Sequence, residues 1–256
     1  MARVLGMLYG LICYILGILS LVFLLFAANN HMGIFGDPAL LPYNLDQASN
    51  PLPYHPLLVN LALILLFGLQ HSIMARPTFK AKLTAILPAS LERSTYVLAT
   101  AFVTFALVLY WQPMAGALWH VENEVGRIAL NVSFYFGWLV TFLATYMLNH
   151  FHLFGLQQSF KSDDPDAGAK EFKTPLFYKV VRHPIQTGVA IAMVSTPDMT
   201  TGRAVLAAGM LLYIFIGLRY EERDLIAEFG DTYRDYKKRV PSLVPFFKAN
   251  SDSKTG

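Results

Sequence analysis

Uninterrupted apolar blocks dominate the chain. The first block runs from Val4 to Ala28 without a charged residue, which exceeds the roughly 20 residues that a membrane-spanning helix needs. The apolar core of a signal peptide is only about 7–15 residues long, so we expect this block to stay as a span. Three further blocks cover Leu57–Ile73, Tyr96–Trp111 and Val132–Leu148. The pattern predicts four transmembrane helices.

Two shorter apolar blocks follow, Ile185–Thr196 and Ala204–Leu218, with proline and glycine between them. They predict a short helical hairpin. Beyond it, Arg219–Phe229 has apolar residues on one side only, and Tyr233, Tyr236 and Val240 recur at helical spacing. These segments predict an amphipathic helical cap that lies on the membrane surface.

The composition excludes other classes of protein. Hydrophobic residues make up 55% of the 256 residues and charged residues only 14%, against about 25% in soluble domains. The single cysteine, Cys13, rules out an intrachain disulfide. We therefore expect an all-α integral membrane protein with one membrane domain: four spans in residues 1–155, and the hairpin and cap in residues 156–256.

The basic residues orient the spans. If the N-terminus is inside, eighteen of the twenty lysines and arginines fall on the inner side, and only Arg127 and Arg203 fall outside. Residues 29–56 contain none. This asymmetry predicts that both termini and the cap are cytoplasmic.

Ionisable residues near membrane depth are expensive, so each is a functional hypothesis. Under this topology several of them meet at the cytoplasmic face, whereas His31, His55 and His120 lie outside. Ordinary interfacial side chains that reach toward lipid headgroups are the alternative. The converging residues are His71, Arg93, His150, His152, Arg182, His183, Glu221 and Glu222.

Arg182, His183 and Pro184 mark a helix start. Proline suits the first helical turn, and the residue before it is kept out of helical geometry. A helix that begins at the membrane surface offers free N–H groups to a carboxylate or phosphate. Gly188, one turn further on, permits close approach of a ligand or of another helix. A plain helix start is the alternative.

A metal site is not expected. His150 and His152 are two residues apart, so on a helix they point in different directions and cannot share one ion. Histidine clusters of the kind found in membrane hydroxylases do not occur, and neither glycine-rich nucleotide-binding motif is present.

The C-terminal third resembles the membrane methyltransferases that include isoprenylcysteine carboxyl methyltransferase and the phospholipid N-methyltransferases. The resemblance rests on YKVVRHPIQTG over 178–188, RYEE over 219–222, and the glycine, tyrosines and prolines over 230–245. It implies a cytoplasmic pocket for S-adenosylmethionine. The implied cofactor-binding residues are Tyr178, Arg182, His183, Pro184, Gly188, Glu221, Glu222, Tyr233, Tyr236 and Pro241.

The upstream half resembles a bacterial branch of that superfamily, the methanethiol S-methyltransferases, and shares some pattern with the NnrU-like membrane proteins. The motifs are QHSIMARP over 70–77, ERSTY over 92–96, WQP over 111–113 and NHFHLFGLQQ over 149–158. This resemblance implies methyl transfer to methanethiol, giving dimethyl sulfide, in the bacterial inner membrane. The implied partners are a small volatile thiol and membrane lipids, without nucleic acid or an obligatory protein partner.

Methyl transfer from a sulfonium to a thiolate removes charge, which a dry site favours. A thiol such as that of cysteine has a pKa of about 8.5, so a nearby base is useful, and histidine is the usual one. The candidate catalytic residues are His71, His150 and Arg93. Three alternatives stay open: transfer to a lipid amine or a prenyl-cysteine carboxylate, NADPH-dependent reduction, and a non-enzymatic NnrU-like role.

Overall fold

The computed structural model describes residues 2–28, 44–46, 50–160 and 172–246. His31 and the basic residues of 161–171 and 247–256 lie outside the described residues. Within them the chain is almost entirely helical, with two short strands and a 3₁₀ turn over Leu176–Lys179. The elements are α1 (Ala2–Ala28), α2 (Pro56–Met74), α3 (Pro77–Thr84), α4 (Ala89–Leu109), β1 (Ala117–His120), α5 (Glu124–Met147), α6 (His150–Leu153), α7 (Leu156–Phe160), α8 (Pro184–Val194), β2 (Asp198–Thr200), α9 (Thr201–Phe229) and α10 (Asp231–Arg239).

The prediction of an all-α integral membrane protein is confirmed. Five helices among the described residues are long and apolar enough to cross a membrane: α1, α2, α4, α5 and α9. The second arm of the hairpin is longer than predicted, because α9 continues without a break through Arg219–Phe229. That segment is therefore the end of a fifth candidate span, and the cap consists of α10 and residues 240–246.

Two spans begin earlier than their apolar blocks. α4 starts at Ala89 and α5 at Glu124, several residues before Tyr96 and Val132. The first turns of both helices contain charged residues, Glu92 and Glu124. Acidic side chains near a helix N-terminus interact favourably with its dipole. A hydropathy reading stops at such charges, whereas the backbone hydrogen bonds continue through them.

The bundle has two distinct ends. We call the end at which α2 and α5 finish and α4 and α8 begin the basic end; it also carries α3 and α10. We call the other end, at which β1 and β2 pair, the ribbon end. The β1–β2 pair is antiparallel and joins Trp119 to Met199, a pairing that the apolar pattern does not reveal.

Ion pairs fasten the ribbon end. Arg127 donates to Asp198 at 2.8 Å, and His120 also contacts Asp198. The Arg127 hydrogen bond holds the pKa of Asp198 below its usual value. Arg203 is buried and pairs with Asp46 at 2.9 Å, and its guanidinium also donates to the carbonyl of Ala28. The two basic residues predicted to lie outside therefore have acidic partners there.

Helices α5 and α8 cross in unusually close contact. A Cβ on Gly137 would lie 2.5 Å from the carbonyl oxygen of Gly188, and one on Gly188 would lie 2.7 Å from the backbone nitrogen of Thr141. Thr141 donates to the carbonyls of Gly137 and Ile185. Gly188 thus allows another helix to approach, one of the two possibilities that the sequence suggests.

Candidate active site

Two adjoining cavities lie inside the bundle. The outer cavity, of about 480 Å³, reaches the basic end, and the inner cavity, of about 320 Å³, extends between the spans toward the ribbon end. They meet at a shared wall. The residues that line both are Phe67, His71, Arg93, Tyr96, Ile185, Gln186, Val189 and Met210.

The outer cavity combines aromatic rings with charged groups. Tyr96 and Tyr213 form part of its wall, and Glu221 lies at its edge, where it accepts a hydrogen bond from Gln186 at 3.3 Å. Arg76 pairs with Asp224 at 3.0 Å at the same mouth. Its volume falls within the usual range of about 300–1,000 Å³ for small-molecule sites.

The inner cavity is much less polar. Leucines of α1, α4 and α9 line it, together with Met193 and Trp138. Its threonines donate their hydroxyl protons to backbone carbonyls within their own helices, as Thr104 does to Thr100 at 2.8 Å. A hydroxyl used in this way can still accept a hydrogen bond but has no donor left for the cavity.

His71 stands where the cavities meet. Its ring stacks on Phe67 at 5.5 Å and lies 5.1 Å from the ring of Tyr96. Its Nδ1 is 3.5 Å from the hydroxyl of Thr100, and that hydroxyl donates its own proton to the carbonyl of Tyr96. The Thr100 oxygen can then only accept from Nδ1–H, which leaves Nε2 as the basic nitrogen.

Arg93 lies on the same shared wall and is held from two sides. Its Nε donates to the carbonyl of Leu153 at 2.8 Å, and its guanidinium lies over the ring of Tyr96. The next residue, Ser94, donates to the carbonyl of Gly155. The motif over 149–158 thus positions the motif over 92–96, so two motifs far apart in the sequence serve one wall.

Two residues with left-handed backbone conformation make the contact between these two motifs possible. Asn149 has φ 76° and its side chain accepts from the N–H of His152. Gly155 has φ 82°, and a Cβ there would lie 2.6 Å from the nitrogen of Ser94. Glycine adopts this conformation readily and leaves the space that α4 needs.

His150 has a different environment. It is 2% exposed, and it does not line either cavity. Tyr14 hydrogen-bonds its Nε2 at 3.0 Å and Thr145 its Nδ1 at 2.7 Å, while the ring of Tyr146 stacks on it at 4.3 Å. Burial lowers the pKa of His150. Both ring nitrogens are therefore engaged in holding α1, α5 and α6 together.

Glu222 is the centre of a buried ion-pair cluster beside the outer cavity. It accepts from Arg182 at 2.6 Å, from His183 at 3.1 Å and from Lys237 at 2.7 Å. Burial disfavours the protonated form of His183 and so lowers its pKa. Hydrogen bonds to Glu221 and Glu222 outweigh this effect, and the pKa of His183 is raised overall. The cluster joins the start of α8, the end of α9 and α10.

The chain after α10 covers the start of α8. The backbone N–H groups of Arg182 and His183 donate to the carbonyls of Pro241 and Ser242, and Thr187 donates to Leu243. Pro184 begins α8 as predicted, with His183 outside helical geometry at φ −127°. The tail's own carbonyls therefore occupy part of the predicted anion site.

Two tyrosines complete this contact. The hydroxyl of Tyr236 donates to the carbonyl of Tyr178 at 2.6 Å. Burial raises the pKa of Tyr236 to about 12 and also raises those of Tyr178 and Tyr233, so these phenols keep their protons at neutral pH. Of the ten predicted cofactor-binding residues, Glu221 lines the outer cavity and the other nine stand outside its lining. Gly188 packs against α5 instead of joining the Glu222 cluster.

Most of the residues that line the outer cavity were not among the predicted site residues, and Phe67, Gln186 and Tyr213 are three examples. Gln186 lies inside the motif over 178–188, so its position in that motif could have identified it as a site candidate. Phe67 and Tyr213 lie in apolar runs and carry no distinguishing pattern. Tyr213 accepts a hydrogen bond from Ser72 at 3.3 Å, a contact across 141 residues.

Comparison with known proteins gives a consistent set of relatives. The chain is 39% identical to methanethiol S-methyltransferase 2 of Bradyrhizobium diazoefficiens, with 95% of this chain and 91% of the relative aligned. It is 39% identical to the methanethiol S-methyltransferase of Mycobacterium tuberculosis, over 96% and 98% of the two chains. The enzyme of that name from Crocosphaera subtropica is 36% identical over 98% and 96%. No protein-family profile and no solved structure matches.

Proposed function

Because this chain belongs to the methanethiol S-methyltransferase family, we propose that it transfers a methyl group from S-adenosylmethionine to methanethiol and releases dimethyl sulfide. The observation that carries the proposal is the pair of cavities that meet at His71, Arg93 and Tyr96. One cavity is polar and opens at the basic end. The other is apolar and lies between the spans, where a small thiol dissolved in the membrane arrives.

The outer cavity has the chemistry that this cofactor requires. When bound, S-adenosylmethionine supplies an electrophilic methyl group on a positively charged sulfur. Glu221 offers a carboxylate to the ammonium or hydroxyl groups of the cofactor, and the side-chain amide of Gln186 lies beside it. Aromatic faces such as those of Tyr96 and Tyr213 attract cations. The cavity is therefore suited to a cationic nucleoside.

His71 and Arg93 serve the thiol. His71 takes the thiol proton on Nε2, because its Nδ1 faces the oxygen of Thr100. Arg93 stabilises the thiolate, since a neighbouring cation lowers the pKa of a thiol. The apolar wall then favours attack, because the opposite charges of thiolate and sulfonium disappear in the transition state. The shared wall keeps thiol and cofactor in line.

The cluster around Glu222 positions the site. Arg182, His183 and Lys237 neutralise this carboxylate, and α10 is thereby held against α8 and α9. Glu221, the preceding residue on α9, is held at the cavity edge as a result. We propose that Tyr178, Pro184, Gly188, Tyr233, Tyr236 and Pro241 contribute to cofactor binding through this packing.

We further propose that the basic end is cytoplasmic and that the membrane is the bacterial inner membrane. Lysine and arginine accumulate on the cytoplasmic side of membrane proteins, and S-adenosylmethionine is made in the cytoplasm. The opening of the outer cavity at that end agrees with both.

The test is product identification. Purified protein in lipid nanodiscs receives S-adenosylmethionine with a deuterated methyl group and methanethiol, and headspace mass spectrometry detects the volatile products. We expect dimethyl sulfide that carries the label. Parallel reactions with a phospholipid amine, a prenyl-cysteine and NADPH cover the alternatives, and labelled lipid without labelled dimethyl sulfide would refute the proposal.

A further inference from the structure

The inner cavity is far larger than the acceptor in the proposed reaction. Methanethiol has two heavy atoms, whereas the cavity offers about 320 Å³, and about 10–15 Å³ of such space holds one water molecule. A one-carbon substrate would leave most of this space empty. Protein interiors are otherwise closely packed. A cavity of this size between the helices therefore indicates a bound ligand larger than methanethiol.

The walls determine which chemistry fits. Leu21 and Leu24 of α1, Val97 and Leu107 of α4 and Leu206 of α9 present hydrocarbon. The hydroxyls of Ser20, Thr104, Thr141 and Thr145 are all donated to backbone carbonyls. Away from the shared wall, a group that needs hydrogen-bond donors would find few partners, whereas an alkyl chain would find apolar contact.

One polar atom in the wall stays unused. Trp138 is 9% exposed and lines the inner cavity, and its indole Nε1 has no hydrogen-bond partner among the described residues. Buried donors are nearly always paired. Hydrocarbon cannot accept a hydrogen bond, so this N–H does not bear on an alkyl ligand, which the volume and the apolar walls favour.

We infer that the inner cavity is a binding site for the alkyl chain of thiols longer than methanethiol, so that the enzyme is a general alkanethiol S-methyltransferase. The sulfur lies at the shared wall beside His71 and Arg93, and the chain extends past Trp138 toward Leu206. The reaction balances as in the proposed function. The thiolate sulfur forms a bond to the methyl carbon, and the bond from that carbon to the sulfonium sulfur breaks, leaving its electron pair on the sulfonium sulfur. His71 holds the thiol proton. This inference rests on the proposed function.

The first experiment measures KM and kcat for methanethiol, ethanethiol, butanethiol and hexanethiol with the wild-type protein in nanodiscs. Each buried methylene contributes about 0.8 kcal/mol, so we expect KM to fall by about fourfold per methylene up to butanethiol. A KM that is flat or rises along the series overturns the inference, even when methanethiol is turned over normally.

Variants separate cavity binding from partition into the bilayer. Ala101→Leu adds three carbons to a residue that lines the cavity and is 1% exposed. We expect it to lower the ratio of hexanethiol to methanethiol kcat/KM at least tenfold. Leu139→Phe enlarges a lipid-facing residue that is 52% exposed and should leave the ratio unchanged. If Ala101→Leu and Leu139→Phe have the same ratio of hexanethiol to methanethiol kcat/KM, the inference is wrong.

A binding measurement keeps the inference distinct from the proposed function. 1-Hexanethiol should raise the Tm of the wild type and of Leu139→Phe, and it should raise that of Ala101→Leu much less. If no thiol is methylated but this selective shift is present, the reaction is wrong and the alkyl site stands. If methanethiol is methylated and the shift is absent, the reaction stands and the alkyl site is wrong.

Discussion

At the residue scale, His71 and His150 show how packing separates two identical side chains. His71 lies on the wall of both cavities, and His150 is enclosed by Tyr14, Thr145 and Tyr146. We expect His71→Ala to lower kcat/KM for methanethiol by about 10²–10⁴ near neutral pH, the usual cost of losing a general base. The loss should shrink at high pH, where solvent supplies the thiolate.

The control is His150→Ala, which removes two hydrogen bonds from a buried site. Each such bond contributes about 1 kcal/mol, so this variant should lose Tm and keep a normal pH–rate profile. Turnover against pH and thermal unfolding, measured for both variants, check the pair. A His71→Ala enzyme that is fully active at pH 7 would show that the thiolate comes from solution.

Glu221 and Glu222 are adjacent but should behave differently on substitution. Glu222→Gln leaves Arg182 and Lys237 without a counter-charge, and breaking a buried pair costs about 3–5 kcal/mol. It should lower Tm sharply. Glu221 is half-exposed at the cavity edge, so Glu221→Gln should weaken S-adenosylhomocysteine binding and lower Tm much less than Glu222→Gln, through the loss of its contact with His183. Calorimetric titration and thermal unfolding measure the two effects, and the reverse assignment would move the cofactor to the Glu222 cluster.

The sequence identifies the types of residue at the site better than their roles. It placed His71, Arg93 and Glu221 at one face because the ends of spans can be counted along the chain. It could not separate His71 from His150, since the partner that encloses His150 is Tyr14, 136 residues away. It could not select Tyr213 either, because the face of α9 that turns toward the cavity depends on how α2 and α9 pack.

At the scale of elements, the docking of α10 depends on a titrating residue. The pKa of His183 is raised in the folded protein by Glu221 and Glu222, so protonated His183 stabilises the fold. That contribution is complete below the usual histidine pKa of about 6.5 and is lost as the pH rises through the raised value. We expect amide exchange in α10 to speed up as the pH rises above neutral.

Hydrogen–deuterium exchange by mass spectrometry, corrected for the intrinsic pH dependence of exchange, measures this effect. His183→Gln is the matched control, since an amide keeps hydrogen-bonding capacity without the charge, and its α10 exchange should show no such step. If wild type and variant respond alike to pH, the docking of α10 does not depend on the charge of His183.

The crossing of α5 and α8 sets the position of Ile185, Gln186 and Val189 on the cavity wall. A methyl group on Gly188 meets the backbone of both Gly137 and Thr141, where no flexible side chain can give way. We expect Gly188→Ala to destabilise the protein by about 1–3 kcal/mol, the typical cost of overpacking. Gly217→Ala is the control, because nothing lies within 4 Å of a Cβ there. Similar unfolding curves for the two variants would contradict the tight crossing.

The element boundaries show where hydropathy stops being informative. The apolar blocks located the spans because the bilayer imposes a length. They did not show that α9 continues to Phe229, since charged residues in its last three turns interrupt the apolar run. They also missed the β1–β2 ribbon, whose strands are about 80 residues apart in the chain and only four and three residues long.

At the scale of the whole molecule, the orientation of the bundle decides which compartment supplies the cofactor. Eighteen of twenty basic residues belong to one side in the proposed topology. A reporter fused after Gly256 should be active only in the cytoplasm, and cysteine-accessibility labelling at β1 should react only from outside. A C-terminal reporter that reads as periplasmic would reverse the orientation and remove the argument for a cytoplasmic cofactor site.

The fastened ribbon end gives the two substrates different access. A pocket of about 20 Å³ beside Arg203 shares Met193 and Leu206 with the inner cavity, and it has room for about one water. The proposed methyl donor, which is charged and cannot cross a bilayer, therefore reaches the site from the basic end, whereas a thiol dissolves in lipid from either face. In the proposed reaction, the rate then depends on the methyl-donor concentration of one compartment, whereas the thiol enters from both.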